Sequence, residues 1–311
     1  MRITSFLMAC AATLSASTAF AQDGADCATI RSFDPGWTDI TATNGVAGVI
    51  LDALGYRLQI QTLSVPVGYS AMKSDQIDAF LGNWMPAQAA FIDDLDAAGK
   101  VQVLGTNLEG AKFTLAVPKE EATAGIASVA DLAAHADAFD RKIYGIEPGA
   151  PANQNILKMI DTEGLGLSGW HIVESSEQGM LAQVTRAVRS DKPIVFLAWA
   201  PHPMNNDIDI QYLSGADDWF GPDYGGATVR TVARPDWAAQ CPNAAAILSN
   251  LRFDIQMEND LMGEILDGAA PDEAATAWIK ANPERLDDWL KDVTTRDGAP
   301  AAAALREALD L

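Results

Sequence analysis

Histidine and cysteine are scarce in this chain, three of each in 311 residues. His135, His171 and His202 form no HExxH-like pattern, and neither Cys27 nor Cys241 has a Cys or His neighbour at zinc-ligand spacing. No metal and no cofactor is therefore expected. A Gly-x-Ser-x-Gly elbow and a phosphate-binding P-loop are absent too. Basic residues are also few: 21 Lys and Arg face 42 Asp and Glu, a formal charge of -21. So acidic a chain is a poor partner for nucleic acid or an anionic membrane surface, and its field favours a cationic solute. Acidic pairs such as Asp93-Asp94, Asp217-Asp218 and Asp287-Asp288 read as solvated faces. Catalysis has little to work with.

Long apolar runs are missing except at the start. Arg2 precedes an apolar, small-residue stretch, and Ala19-Phe20-Ala21 is a small-x-small cleavage site before Gln22. Residues 1–21 thus read as a secretory signal peptide. The stretch is too short to anchor in a membrane, which takes about 20 apolar residues. Leu7-Met8-Ala9-Cys10 could pass for a lipoprotein box, but cutting there leaves a very short apolar core. Cleavage after Ala21 removes Cys10 and leaves Cys27 and Cys241. In an oxidising compartment two thiols are expected to pair.

What remains, about 290 residues, exceeds one compact core, so two lobes are expected. Strand and helix patterns alternate, which defines an α/β chain. Helices are predicted over 45–54, 87–98, 128–139, 151–160 and 177–189, and mostly helix follows Cys241. Strands are predicted over 57–63, 77–81, 101–104, 112–117, 142–146, 171–173, 193–197, 208–213 and 225–232. If Cys27 and Cys241 bridge, the chain's end returns to its beginning. The first lobe is then 22–115 with 210–311, and a second lobe, 116–209, is inserted into it.

Three tryptophans stand where apolar strands give way to Pro- or Gly-marked loops: Trp37 after Asp34-Pro35-Gly36, Trp84 before Met85-Pro86, and Trp199 before Ala200-Pro201. Such loops are where an α/β protein meets its ligand. Indole faces attract cations, and each contact is worth about 0.5–2 kcal/mol. A quaternary ammonium offers no strong hydrogen-bond donor, so rings rather than polar groups hold it well. Micromolar binding takes about 8 kcal/mol; three or four rings plus methyl burial are of that order. Trp170, Trp219, Trp237, Trp278 and Trp289 read as packing residues.

Several segments carry a resemblance: Gly36-Trp37-Thr38-Asp39-Ile40-Thr41, Phe80-Leu81-Gly82-Asn83-Trp84-Met85-Pro86, Ile146-Glu147-Pro148-Gly149, Glu174-Ser175-Ser176-Glu177-Gln178-Gly179-Met180, Pro201-His202-Pro203-Met204-Asn205 and Phe220-Gly221-Pro222-Asp223-Tyr224-Gly225-Gly226. Through them the chain resembles, over essentially all of 22–311, the periplasmic choline-binding proteins of ABC importers, within the glycine betaine/proline betaine/choline solute-binding family. The resemblance implies a two-lobed, type II-like periplasmic solute-binding protein with its ligand in the cleft between lobes. It also implies a monomer that delivers choline to an ABC permease in the inner membrane. Trp37, Trp84 and Trp199 match cage positions, Asp39 matches the acid that accepts from the choline hydroxyl, and Cys27 with Cys241 matches a family disulfide.

Two positions depart from the pattern. Phe113 stands where a cage Tyr is expected, and Ala150 where an Asn is expected; Asn153 is a candidate to reach in from the first helical turn instead. No quoted segment supplies Lys or Arg beside the cage, which favours choline over a carboxylate-bearing betaine. His202 and Glu147 fall near the cleft by position. Glycine betaine, carnitine or trimethylamine N-oxide are the alternatives within the class. A secreted carbohydrate-active enzyme, which also lines clefts with tryptophan and carboxylates, is the alternative outside it.

Overall fold

One strand joins the two halves of the molecule. The computed structural model describes residues 23–311, so the expected signal peptide and Cys10 lie outside the described residues. β1 (Thr29–Asp34) pairs in parallel with β2 (Arg57–Thr62), and α1 (Thr38–Ala53) connects them. α2 (Val65–Lys73), β3 (Ala79–Met85) and α3 (Ala89–Ala97) follow. Then comes β4 (Gln102–Pro118), 17 residues long. After β4 lie α4 (Val129–Leu132), β5 (Lys142–Tyr144), α5 (Pro151–Asp161), β6 (His171–Val173), α6 (Glu177–Arg189) and β7 (Phe196–Ala200). β8 (Ile210–Tyr212) and β9 (Gly226–Ala233) complete the strands.

The larger sheet runs β3-β9-β4-β7-β5-β6, with β8 also on β4. From Gln102 to Lys112, β4 pairs with β9; from Lys112 to Ala116 it pairs with β7, and from Ala116 to Pro118 with β8. Lys112 and Ala116 each have partners on both sides. β9 and β8 therefore lie end to end along one edge of β4, with β7 along the other. β3 and β9 belong to the lobe built on β1, β2 and α1, whereas β5 to β7 form the other lobe. β4 is common to both.

The two strands predicted at 101–104 and 112–117 are thus one. Register shifts between Val103 and Gly105, Thr106 and Leu108, and Leu108 and Ala111 break the alternation that would have revealed a single strand. β3 runs past Leu81 to Met85, and β7 starts at Phe196, not at 193. Trp84 and Trp199 consequently lie within strand ends, ahead of the loops. α1 begins at Thr38, seven residues before its predicted start. Thr38, Thr41 and Thr43 are β-branched, which hides two helical turns from a periodicity reading. The predicted helix over 128–139 stops early, as α4 and a 3₁₀ turn Ala133–His135, although Ser128 and Asp131 do form a capping box.

The helical tail, including Pro242–Asn250, Ile255–Leu266 and Pro271–Ala281, packs back onto α1. Gly45 permits the approach: a Cβ there would meet the Pro271 carbonyl oxygen at 2.6 Å. The packing role read for five tryptophans fits their positions. Trp170, Trp237 and Trp289 are buried, Trp278 stacks on Trp289 with ring centroids 6.2 Å apart, and Trp219 packs half-buried against the core. No helix among the described residues is long and apolar enough to cross a membrane.

Cys27 and Cys241 form the expected disulfide across a sequence separation of 214. Asp23 docks the same corner. Its carboxylate accepts from the Asn243 and Ala244 N–H groups at 3.0 and 2.9 Å, at the start of the Pro242–Asn250 helix, and from the Tyr56 hydroxyl at 3.0 Å. A helix start offers free N–H groups to an anion, so charge and geometry agree. Removing the bridge by Cys27→Ser with Cys241→Ser should lower stability by about 2–5 kcal/mol. Urea unfolding checks this, and a reducing agent should bring wild type down to the variant while leaving the variant unmoved.

Candidate ligand-binding site

Asp34, at the end of β1, starts the site. Its Oδ1 accepts from the Gly36 and Trp37 N–H groups at 2.7 and 3.2 Å, and its Oδ2 from the Thr41 hydroxyl at 2.7 Å. The carboxylate thereby folds the Pro35-Gly36 turn and sets Trp37 as the residue before α1. Asp39 follows in the first helical turn. Trp84, near the end of β3, donates its indole N–H to Asp39 Oδ2 at 2.9 Å.

Phe113 and Trp199 are cross-strand partners in the β4–β7 ladder. Phe113 also meets Trp84 edge-on, with centroids 6.1 Å apart at 82°, and Phe220 at 5.4 Å and 76°. Behind Phe113, Asp223, Tyr224 and Gly225 take consecutive positive φ values of 56°, 62° and 72°. A Cβ on Gly225 would lie 1.8 Å from the Phe113 carbonyl oxygen, so only glycine fits.

Trp37, Asp39, Trp84, Phe113 and Trp199 line one pocket. Ala87, Gln88, Ile146, Pro151, Ala152 and Leu197 complete the wall. All four aromatic residues are buried, at 9% exposure or less. The wall contains no Lys, Arg or His. Its two polar residues differ in role. The Gln88 amide is committed elsewhere: Oε1 accepts from the Tyr69 hydroxyl at 2.5 Å and from Asn83 Nδ2 at 3.3 Å, and Nε2 donates to the Gly82 carbonyl at 3.0 Å. Asp39 keeps a carboxylate toward the pocket with the Trp84 indole as its side-chain donor. Burial, then the nearby Glu177 carboxylate, push the Asp39 carboxyl up to about 8.

Two further carboxylates cross between the lobes. Glu147, in the loop after β5, accepts from the Trp37 indole N–H at 3.1 and 3.0 Å. Glu177, the first residue of α6, accepts from the Thr38 N–H at 3.0 Å and from the Thr38 hydroxyl. Burial raises the Glu147 carboxyl, and its hydrogen bond from Trp37 opposes that rise. Position alone places Glu147 near the cleft; its bond to Trp37 needs the folded chain. Asp34, Gln88 and Glu177 have no such signal. Asp34 reads as an ordinary turn residue, and Glu177 as an ordinary acid in a helix's first turn.

Two expected site residues are not in the wall. Asn153 is fully buried and holds the 146–147 loop: Oδ1 accepts from the Ile146 N–H, while Nδ2 donates to the Ile146 and Glu147 carbonyls and to Glu174 Oε1, each at 3.0 Å. Its two N–H hydrogens are shared among these three acceptors, so its donors serve the loop and not the pocket. Ala150 is buried as well, and Pro151 and Ala152 supply this segment's wall.

Two α/β lobes sharing a strand, with an aromatic-walled pocket at their junction, define a solute-capturing protein. Residues 28–281 match the family model described as the substrate binding domain of the ABC-type glycine betaine transport system, and the chain belongs to that family. Its members are transport proteins and not enzymes. Among solved structures, an ABC-transporter choline binding protein in complex with choline is 51% identical with a TM-score of 0.90, over 92% of this chain and 100% of that one. An ABC-transporter choline binding protein in an unliganded semi-closed conformation gives a TM-score of 0.85 at the same identity and coverage. The glycine betaine/carnitine transport binding protein GbuC of Listeria monocytogenes serotype 1/2a (strain 10403S) is 30% identical over 159 residues, 50% of this chain and 51% of that protein.

Gly225→Ala forces a methyl group against the Phe113 carbonyl. It should cost about 2–4 kcal/mol of stability, combining overpacking with left-handed backbone strain. Thermal unfolding measures the loss, and Gly298→Ala, a positive-φ position with open space around it, should cost clearly less.

Proposed function

We propose that this protein captures choline between its lobes and presents it to an ABC permease in the inner membrane, acting as a monomer in the periplasm. Trp37, Trp84, Phe113 and Trp199 form the cage for the trimethylammonium head, and Asp39 accepts a hydrogen bond from the hydroxyl. The observation that carries this reading is the composition of one pocket wall: four aromatic residues and a single carboxylate, with no basic side chain. An onium head gains electrostatic attraction and methyl burial from rings at the same time. Asp39 adds charge attraction in a site where water cannot screen it.

The inserted-lobe division, 116–209 within 22–115 and 210–311, belongs to this proposal. β8 stays hydrogen-bonded to the outer half of β4, so the return to the first lobe runs through 213–226. Better overlap with the choline-bound relative than with the semi-closed one supports reading this arrangement as closed.

Glycine betaine is the second reading, favoured by the family description and by GbuC. Against it stands Asp39, which, once ionised beside the bound cation, would repel the betaine carboxylate. Phe113 retains a π face without a hydroxyl, so cage strength rests on rings alone at that position.

Titration calorimetry with choline, glycine betaine and a neutral sugar separates the readings; choline should bind and the sugar should not. Tighter binding of glycine betaine would replace the proposed ligand. Asp39→Asn should weaken choline about ten- to a hundredfold, the range for a hydrogen bond to a charged group. A variant with unchanged affinity would remove the hydroxyl-acceptor role.

Acidity provides a second check. A bound cation favours ionised Asp39, whereas burial and the Glu177 and Asp34 charges favour its protonated form. Binding near neutral pH should therefore release a proton. Affinity should fall as pH drops from about 8, by up to tenfold per unit. Calorimetry in buffers of different ionisation enthalpy reads the proton directly, and Asp39→Asn should abolish the release.

A further inference from the structure

Glu177 sits outside the pocket wall yet touches both halves of what surrounds it. It opens α6 and is 1% exposed. Ser176 fixes that helix start by accepting from the Gly179 N–H at 3.1 Å. Across the lobe junction, Thr38 opens α1 and gives Glu177 its backbone N–H at 3.0 Å together with its hydroxyl. Thr38 stands between Trp37 and Asp39 in sequence, so any shift of Thr38 moves both.

The third contact runs the other way. His202 Nδ1 accepts from the Met204 N–H at 3.0 Å, which leaves Nε2 as the hydrogen-bearing nitrogen. Nε2 lies 3.3 Å from Glu177 Oε1. The imidazole, 1% exposed, meets the Trp199 ring edge-on at 5.0 Å and 79°. A single carboxylate thus receives donors from the start of the helix that Trp37 precedes and Asp39 belongs to, and from the ring buttressing Trp199. The start of α1 faces it, and the N-terminal dipole of that helix suits an anion.

We propose that Glu177 is the positioning residue that assembles the pocket, a clasp joining the Thr38 helix start to the His202–Trp199 wall when the lobes meet. The inference rests on the ligand-capture reading and deepens it. Thr38 and Glu177 come from different lobes, so any opening that parts α1 from α6 breaks their bond. A contact of this kind slows ligand escape and has little effect on encounter.

Stopped-flow tryptophan fluorescence with choline, on Glu177→Gln, Thr38→Val and the double variant, tests the clasp. Gln places an N–H among three donors and leaves at least one unmatched. E177Q should raise the dissociation rate about ten- to a hundredfold, with association nearly unchanged. T38V should raise it less, Thr38→Ser should restore it, and the double variant should be no worse than E177Q alone, since both changes break one interaction. Ligand-free unfolding midpoints near wild type mark the effect as positional. If E177Q does not fold, T38V carries the test: a wild-type dissociation rate in T38V overturns the clasp. Additive effects of the two changes, or a wild-type rate in E177Q, overturn it while leaving the choline reading intact. A wild type that binds neither choline nor glycine betaine overturns the capture reading and the clasp together.

Discussion

The backbone ladder between β4 and β7 fixes the site before any side chain acts. It pairs Phe113 with Trp199, and the same strand pairs with β9 on its first-lobe half. A residue in a paired strand cannot slip by one position without turning to the opposite face of the sheet. Phe113 is therefore held rigidly at the junction, and Trp84 and Phe220 pack against it edge-on. Gly225 matters for the same reason, because the chain's return to the first lobe passes directly behind the Phe113 carbonyl.

Around that rigid wall the acids are handled in an unusual way for so negative a chain. Asp34, Asp39, Glu147 and Glu177 cluster at the lobe junction, and among the described residues none receives a Lys or Arg. Backbone N–H groups, indole N–H groups, two threonine hydroxyls and an imidazole surround them instead. These donors settle the geometry of the acids without placing a Lys or Arg beside them. A cation entering the junction meets acids with no competing basic side chain, which suits a cationic solute and disfavours an anionic one. The proposed choline preference and the upward shift at Asp39 have this common origin.

Much of the site was legible because its main parts are rare residue types in rare settings. Tryptophan next to Pro or Gly at a strand's end is conspicuous, and three such places pointed to one pocket. The positioning residues were not legible. Asp34 is one acid among 42 acidic residues, and nothing local separates it from a solvated one. Asn153 went astray for a related reason: a polar residue in the first turn of a helix near the cleft can point at a ligand or at its own loop. Which occurs depends on where the Ile146 and Glu147 backbone comes to lie.

Composition and local pattern by themselves determined the α/β class, the expectation of a paired Cys27 and Cys241, and the aromatic residues available to a cationic solute. Those properties follow from residue chemistry and short-range periodicity, which need no knowledge of distant contacts. Tertiary structure alone decided that 102–118 is one strand shared by both lobes, that Glu147 and Glu177 reach across to Trp37 and Thr38, and that Asn153 serves its loop. Each is a pairing between residues far apart in sequence. The energy of such a contact is set by where two chain segments meet, and no single segment contains that information.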